Sequence, residues 1–361
     1  MKVKVKAKVF NYLLVMLTAS IVSLFSPSIF SQEVKTSSLT EEKTPVTDAD
    51  RFNVWKLNLK GDMLKKGADE ELVKKIINHL TFIPRVIELD RRQPEGRMTH
   101  EEYLTKVIPP SKVKRARKEF KLNYSELMKA EARTGVQARY IVSLWGKETN
   151  FGTITGNYSV PSSLATLAFE GRRAKFFRKE LMASVKILSE GHIQLEDMKG
   201  SWAGAMGNCQ FMPTSFLQYA VDANNDGKKD IWGDKTDIFA SMGNYLAKYG
   251  WDKTKNWGRQ VKLINPFKEY KIGKKYKQPL NQWAKQGIVR TDGNALPNSD
   301  IEAYLIAPGG TKGRIYLVYK NFDIIMRWNR SHYFATGVGY LADRIGYPQI
   351  LDPSSTELNN Q

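Results

Sequence analysis

The spacing of apolar residues changes part-way along this 361-residue chain, and that change limits the folds it can adopt. Before Trp251 the spacing is helical: residues 69–80 begin with acidic side chains suited to a first helical turn, and residues 173–190 repeat large apolar side chains every three or four positions. After Trp251, residues 302–306 and 314–319 alternate as β-strands do, and a further helix is predicted before the C-terminus. We therefore predict an α+β fold that is mostly helical, with a small β insertion before its last helix.

Residues 1–31 have the order of charge and apolarity that is typical of a secretory signal. Four lysines lie among the first eight residues, a mostly apolar run follows from Val9 to Phe25, and small residues stand near Ser31. A single membrane anchor is the alternative, but the run is shorter than the ~20 residues that a spanning helix needs. No cysteine stands near the cleavage region, which excludes a lipid-anchored lipoprotein. We expect an exported chain cleaved near Ser31, with a flexible polar tether over residues 32–50.

The chain is strongly basic, with 56 Lys and Arg residues against 37 Asp and Glu residues and a formal charge of +19. Basic surfaces commonly bind nucleic acid, but an exported protein meets anionic cell-wall polymer and anionic lipid instead. We therefore expect no nucleic-acid partner. Composition leaves open the alternative that the charge only keeps the protein soluble.

Glu148 stands at the end of an apolar helical stripe. Val136, Tyr140 and Leu144 share one face of a predicted helix over residues 135–149, and Glu148 is the next position on that face. Burial of an unpaired carboxylate is costly, so the pKa of Glu148 should rise toward the range that a general acid needs near neutral pH. A solvated glutamate at a helix end is the alternative, and this segment alone favours it.

Residues 200–213 gather three glycines, two alanines and a serine around one glutamine. Small residues let a partner chain or a ligand approach the backbone closely, and Ser201 and Gln210 would then fix its orientation. A tight helix–helix crossing explains the composition equally well. The single cysteine of the chain, Cys209, lies in this segment and is expected to be a small buried packing residue rather than a nucleophile.

Five motifs that follow one another along the chain resemble the membrane-bound lytic transglycosylase B family of bacterial cell-wall enzymes. They are ELDRRQPE (88–95), KETNFG (147–152), GSWAGAMG (200–207), QFMP (210–213) and MRWNRS (326–331). The resemblance implies a lysozyme-like core with an N-terminal helical region. It also implies cleavage of the β-1,4 bond between N-acetylmuramic acid and N-acetylglucosamine in peptidoglycan, or murein, which leaves a 1,6-anhydro ring and uses no water.

The resemblance also implies the roles of individual residues. Glu148 would protonate the leaving oxygen and then take the proton of the sugar's own C6 hydroxyl, so the reaction needs one carboxylate and no cofactor, whereas hydrolysing glycosidases normally use two carboxylates. The positions that match the glycan- and peptide-binding residues are Ser201, Gln210, Arg172, Arg173, Tyr245, Trp328, Asn329 and Tyr333. The alternatives are a muramidase that hydrolyses the same bond and a non-catalytic peptidoglycan-binding scaffold.

Residues 222–230 have the spacing of an EF-hand calcium loop, with oxygen-bearing side chains at positions 1, 3, 5 and 9 and glycine at position 6. Position 12, normally a bidentate acid, is Gly233, and the slightly longer loop of the resembling family favours Asp237 as the closing ligand. The predicted structural calcium site consists of Asp222, Asn224, Asp226, the Lys228 carbonyl and Asp237. An Asx-rich turn without metal is the alternative.

These inferences divide the chain into six parts. They are a signal peptide (1–31), a tether (32–50), a helical region (51–130), a catalytic lysozyme-like core with the EF-hand-like loop (131–257), a β-rich insertion (258–321) and a C-terminal helix returning to the core (322–361). We expect a periplasmic protein whose partner is the peptidoglycan glycan strand. Membrane association and partners among other cell-wall enzymes are left open.

Overall fold

A computed structural model describes residues 46–92, 98–267 and 270–350 of the chain. The predicted signal peptide, most of the predicted tether and residues 351–361 lie outside the described residues. The end of the predicted tether is corrected, because the first helix begins at Asp48. There Thr47 and Asp50 cap each other: Thr47 Oγ1 accepts from the Asp50 N–H (3.2 Å) and Asp50 Oδ2 accepts from the Thr47 N–H (2.9 Å).

Six helices make up the described chain before residue 135. They are α1 (Asp48–Lys65), α2 (Glu70–His79), α3 (Pro84–Arg91), α4 (His100–Val107), α5 (Pro110–Leu122) and α6 (Tyr124–Thr134). Side chains of Asp69 and Thr99 cap the first turns of α2 and α4, and proline begins both α3 and α5. The predicted helix over 69–80 is thus confirmed as α2.

The next helix, α7 (Ala138–Thr149), is buried on most sides and lies at the centre of the main core. The long C-terminal helix α14 (His332–Gly346) packs along it, as do α5 and α6. Ser143 Oγ donates a hydrogen bond to the Val338 carbonyl (2.7 Å), which joins α7 to α14 in a region closed to water. The apolar stripe predicted to lead to Glu148 is therefore part of the core.

Four more helices and a short two-stranded sheet belong to the helical body. They are α8 (Val160–Glu170), α9 (Ala174–Ser189), α10 (Pro213–Tyr219) and α11 (Lys235–Lys248), with β1 (Tyr158–Ser159) paired antiparallel to β2 (Lys199–Gly200). In the chain, α8 and α9 lie between these two strands. The buried Glu180 of α9 accepts hydrogen bonds from the N–H (2.9 Å) and the hydroxyl (2.8 Å) of Thr214, which fixes the first turn of α10 against α9.

A five-stranded antiparallel sheet forms between residues 258 and 318. Its strands are β3 (Gly258–Leu263), β4 (Gln278–Pro279), β5 (Ile288–Arg290), β6 (Glu302–Ile306) and β7 (Ile315–Val318), in the order β4-β6-β7-β3-β5, with α12 (Leu280–Lys285) between β4 and β5. Trp283, Leu305 and Leu317 are buried in a second core that is separate from the main one. The strands predicted at 302–306 and 314–319 are confirmed as β6 and β7, but their burial does not alternate, because residues 303–306 and 316–318 are all buried.

After the sheet, α13 (Lys320–Trp328) leads the chain back to the helical body, and α14 follows it. The predicted fold class, mostly helical α+β, is confirmed. Among the described helices, none combines the length and the apolarity that a membrane span requires.

Candidate active site

Glu148 lies in the last turn of α7, where the chain leaves the helix through two residues in the left-handed conformation. Asn150 has φ 51° and Phe151 has φ 61°. This turn folds the Phe151 ring back over Gly146, where a Cβ atom would stand only 2.5 Å from the ring. Glycine at position 146 therefore permits the turn that holds the end of α7.

The carboxyl group of Glu148 is held near its point of half-protonation at neutral pH. Burial raises its pKa to about 7, although a hydrogen bond from Trp328 and the positive charge of Lys147 both act in the opposite direction. Trp328 Nε1 donates to Glu148 Oε1 over 2.7 Å. The side chain keeps a partly exposed surface, so the group is desolvated and still reachable.

Aromatic rings hold Trp328 in place. Its ring centroid lies 5.3 Å from that of Phe211 and 4.7 Å from that of Tyr245. Tyr245 is itself buried, and its hydroxyl donates to the Arg327 carbonyl (2.8 Å). Of the three aromatic residues predicted for the cleft, Tyr245 packs against Trp328, and Trp328 is the one that bonds to the acid.

The glycine-rich segment 200–213 forms a tight loop. Cβ atoms added at Gly200, Gly204 and Gly207 would stand 2.2 to 2.6 Å from other atoms of the chain. The small residues thus let other parts of the same chain approach the loop backbone closely. The segment is a loop and not the helix–helix crossing that was the alternative. Ser201 Oγ accepts from the Ala205 N–H (3.0 Å) inside this loop.

Gln210 sits at the end of the same loop in a left-handed conformation, with φ 49°. Its Nε2 donates to the carbonyls of Gly207 (2.9 Å) and Thr155 (3.0 Å). The amide nitrogen is therefore occupied in binding the loop to the turn that follows α7. Cys209 beside it is fully buried, and burial raises the pKa of its thiol, as expected for a packing residue.

Arg172 and Arg173 precede α9 and both lie close to the buried carboxylate of Asp90. Arg172 Nη2 forms an ion pair with Asp90 Oδ2 and also donates to the Asp90 carbonyl (3.0 Å). The Arg173 guanidinium lies 4.7 and 4.8 Å from the ring centroids of Phe176 and Phe177. Both arginines are thus fixed by their surroundings, unlike ordinary charges at a helix start.

A cavity of about 970 Å³ joins these arginines to the end of α13. Its lining residues are Gly171, Arg172, Arg173, Ala174, Lys175, Phe176, Ser215, Arg327, Trp328, Asn329 and Arg330. Five of them are cationic and none is acidic. Because Trp328 also bonds to Glu148, the cavity adjoins the acid, and four of the predicted site residues line it.

Tyr333 lies elsewhere than the other predicted cleft residues. It is outside the cavity lining, its hydroxyl donates to the Met98 carbonyl (3.3 Å), and its ring packs against His100 and Tyr103 at 5.0 and 5.3 Å between centroids. The structure thus places Tyr333 in an aromatic cluster on the α4 side of α14.

The predicted calcium loop folds as a tight turn with Gly227 at φ 89°. Asp222 accepts from the N–H groups of Asn225 (2.7 Å) and Gly227 (2.9 Å), and buried Asp237 accepts from Ala223 (2.7 Å) and Asp230 (2.7 Å). Across the described chain, no three acidic, His or Cys side chains converge into a group that would hold a metal ion. The carboxylates bind the N–H groups of the loop itself.

The family described as "Transglycosylase SLT domain" matches residues 51–343, which is most of the chain. The chain belongs to this family. It is 30% identical over 300 residues to membrane-bound lytic murein transglycosylase B of Escherichia coli (strain K12), in an alignment that covers 79% of this chain and 81% of that protein. The predictions of the family, of an enzyme and of lytic transglycosylase activity are confirmed.

Solved structures of similar proteins show the same fold. SltB3 from Pseudomonas aeruginosa, in complex with NAG-anhNAM-pentapeptide, is 38% identical with a TM-score of 0.79, over 82% of this chain and 80% of that one. Escherichia coli Slt35 in complex with calcium is 29% identical with a TM-score of 0.68, over 86% of this chain and 96% of that one. The lysozyme-like core expected of a lytic transglycosylase is confirmed.

Two groups of residues around this transglycosylase site were not predicted from the sequence. Lys147 and Tyr103 lie beside Glu148, and Arg327 and Arg330 line the cavity. Lys147 precedes the acid inside the KETNFG motif, so its position was a usable signal. Arg327 and Arg330 lie on either side of Trp328 within the MRWNRS motif, so their positions were a usable signal as well.

Proposed function

We propose that this lytic transglycosylase cleaves the β-1,4 bond between N-acetylmuramic acid and N-acetylglucosamine, with Glu148 acting first as acid and then as base. The observation that carries the proposal is a carboxyl group with a pKa raised to about 7, held by Trp328 at the edge of a cationic cavity. A group that is half-protonated near neutral pH serves both proton transfers well.

In the proposed reaction Glu148 gives its proton to the glycosidic oxygen as the bond from that oxygen to C1 of the muramic acid breaks. The C6 hydroxyl oxygen of the same sugar then bonds to C1, and its proton returns to the Glu148 carboxylate. The protein is regenerated, no water is consumed, and the product carries a 1,6-anhydro ring.

The proposed route needs one protein carboxylate, since the C6 hydroxyl of the sugar is the nucleophile. Among the described residues, the charged group that shifts the pKa of Glu148 is the cation Lys147. A hydrolase normally uses a second carboxylate to activate water or to attack the sugar. The muramidase is the second candidate, and the mass of the product separates the two.

The cationic cavity supports binding of glycan that carries peptide. The fixed guanidinium groups of Arg172 and Arg173 suit the carboxylates of a stem peptide or a lactyl group. Ser201, Gln210 and Asn329 are proposed to hold the sugars, and Tyr245 is proposed to hold Trp328 by ring contact. Tyr333 packs in the separate cluster with His100 and Tyr103. The SltB3 relative was solved with NAG-NAM-pentapeptide, which fits such a substrate.

We propose export to the periplasm through the signal over residues 1–31, and the six-part division of the chain stays part of this proposal. The name of the Escherichia coli relative gives murein as its target, and the excess of 56 basic over 37 acidic residues favours attraction to an anionic cell wall. Contact with other cell-wall enzymes is not required by any feature of the described residues.

A structural calcium ion in the loop is proposed on the chemistry of its donors. Asp222, Asn224, Asp226, the Lys228 carbonyl and Asp237 offer only oxygen atoms, as calcium prefers. Burial raises the pKa of Asp237, and the neighbouring charges of Asp234 and Asp222 add to that rise, a crowding that a dication would relieve. The ion would brace the loop that leads into α11, with no part in the proton transfers.

Glu148→Gln tests the proposed function. The amide keeps the shape of the carboxyl group but cannot donate the proton, so release of anhydromuropeptides from purified sacculi should fall by about 10²–10⁴-fold. Mass spectrometry of the wild-type digest should show products one water lighter than those of a hydrolase. Near-normal release by the variant would remove Glu148 from the reaction, and hydrated products would establish the muramidase.

A further inference from the structure

Asp90 is a buried carboxylate next to the arginine pair of the cavity. Its side chain is only 3% exposed, it stands in the last turn of α3, and it is not among the described residues that line the cavity. Arg172 and Arg173, which do line the cavity, both reach it with their side chains. One acid on α3 thus meets two cations from the turn between α8 and α9.

Asp90 binds Arg172 through two of its oxygen atoms. Arg172 Nε donates to Asp90 Oδ2 over 3.1 Å, Nη2 forms an ion pair with the same oxygen, and Nη2 also donates to the Asp90 carbonyl over 3.0 Å. The side chain of Arg172 nevertheless remains 49% exposed. Because these bonds engage Nε and Nη2, the edge of the guanidinium group that carries Nη1 can donate to a ligand.

Arg173 is held by the other carboxylate oxygen of the same acid. Its Nη1 lies 3.9 Å from Asp90 Oδ1, which is an ion-pair distance, and its guanidinium group also lies over the rings of Phe176 and Phe177. Each carboxylate oxygen of Asp90 therefore faces one arginine. This arrangement fixes the two guanidinium groups relative to each other.

The backbone of the turn that carries the arginines is attached to α3 by a separate set of bonds. Glu170 Oε2 accepts from the Arg172 N–H (2.9 Å), and Glu170 Oε1 accepts from Arg91 Nη2 (2.8 Å). Arg91 therefore helps to hold the turn in place through Glu170. Asp90 differs from Arg91 because it contacts the guanidinium groups themselves.

We propose that Asp90 is a positioning residue for substrate binding: it holds the guanidinium groups of Arg172 and Arg173 in the arrangement that receives a carboxylate of the substrate. This role rests on the proposed function, in which the cavity binds peptidoglycan. A carboxylate suits the site because guanidinium groups donate to both of its oxygen atoms, and because the described lining is cationic without an acid. Arginines that are ordered before binding also lose less conformational entropy when the substrate binds.

The charge of Asp90 and its positioning role predict opposite effects on binding. Removal of Asp90 makes the surroundings of the cavity more positive, and charge alone would then strengthen the binding of an anionic substrate. Loss of positioning instead leaves Arg172 to be ordered when the substrate binds, which weakens binding. The direction in which KM changes therefore distinguishes positioning from long-range attraction.

The test compares Asp90→Ala and Asp90→Asn with Glu88→Ala, which removes an exposed carboxylate of α3 that pairs with Arg85 (2.6 Å) and is the matched control. Values of kcat and KM are measured on three soluble glycans, with melting temperatures as a check on folding. The first glycan carries stem peptides, the second has lost them and exposes the lactyl carboxylate, and the third has that carboxylate converted to a methyl ester.

Asp90→Ala should raise KM about tenfold for a glycan whose carboxylate binds the arginines, and it should leave kcat and the KM of the methyl ester near the wild-type values. Asp90→Asn retains an oxygen acceptor for Arg172 and should raise KM less. Glu88→Ala should change neither constant. Should Asp90→Ala fail to fold, Arg172→Lys keeps the charge at a half-exposed position but cannot bind Asp90 through two nitrogens, and it should raise KM in the same way.

The outcomes separate the role of Asp90 from the proposed function. A rise in KM confined to the first glycan assigns the stem peptide as the ligand, and a rise confined to the second assigns the lactyl group; both support the role of Asp90. An equal rise with the methyl ester, or an unchanged or lower KM in folded Asp90→Ala, would overturn it. A wild-type KM that is the same for all three glycans would overturn the substrate contact and the role of Asp90 together, whereas an active Glu148→Gln variant would overturn the proposed chemistry alone.

Discussion

The indole nitrogen of Trp328 donates a hydrogen bond of 2.7 Å to Glu148 Oε1 and joins two residues 180 positions apart in the chain. The bond connects the end of α13 to the end of α7, so the acid of the site and a wall of the cavity are held as one unit. It also occupies one carboxyl oxygen, which leaves Oε2 to carry the proton.

Trp328→Phe should slow cleavage and leave the fold intact. Phenylalanine retains a ring that packs near Phe211 and Tyr245, but it cannot donate to Oε1. Since hydrogen bonds to charged groups contribute about 1.5–3 kcal/mol, we expect release of anhydromuropeptides to fall by roughly 10–100-fold. The measurement is a rate on purified sacculi, with the melting temperature followed in parallel. An unchanged rate would show that Glu148 is oriented without the indole.

The apolar stripe that leads to Glu148 could be predicted from the sequence, because the spacing of apolar residues on one helix depends only on neighbouring positions in the chain. The bond to Trp328 could not, because it depends on how α13 returns after the β insertion. Tyr333 shows the same limit: its motif match is local, yet the packing of α14 against α4 directs its ring toward Tyr103. Local pattern thus predicted the residue types, and tertiary packing decided which of them meet.

Glu148 should lower the stability of the folded protein as pH rises. Its folded pKa of about 7 lies above the ordinary value of 4.5, so between these values the folded chain binds more protons than the unfolded chain, and stability is lost across that window. Glu148→Gln should melt near the wild type at pH 4.5 and above it at pH 7, by up to about 3 kcal/mol in free energy of unfolding. Glu70→Gln, at an exposed site, reports the effect of removing a surface carboxylate. If the free energy of unfolding changed with pH in the same way for the wild type and Glu148→Gln, the Glu148 carboxyl group would not be desolvated.

Gly207→Ala should disrupt the loop that carries Gln210. Gly207 has φ 57°, and an added Cβ would stand 2.6 Å from the Ile231 carbonyl oxygen. Gly191 also has a positive φ, 75°, but open space around it, so Gly191→Ala is the matched control. The control should lose about 1–2 kcal/mol from backbone strain, and Gly207→Ala should lose about 1–3 kcal/mol more through the clash. Equal melting temperatures for the two variants would contradict this account of the loop.

Calcium should stabilise the folded chain if the loop at residues 222–237 binds it. A ligand that binds only the folded state adds about 2.7 kcal/mol at a hundredfold excess over Kd, so the melting temperature should rise with calcium and fall with chelator. Magnesium should help less, because it requires near-octahedral geometry and retains its waters. Asp226→Ala should abolish the response.

Asp292 provides the control for this loop, because it accepts a hydrogen bond from the Asn294 N–H (3.0 Å) in an exposed turn outside residues 222–237. Asp292→Ala should keep the full response to calcium. The chemistry of Glu148 needs no metal, so cleavage at low temperature should persist in chelator. If the melting temperature did not change with calcium, the loop would be an acidic turn held by its own N–H groups. If a folded protein lost activity immediately in chelator, a purely structural role for the ion would be wrong.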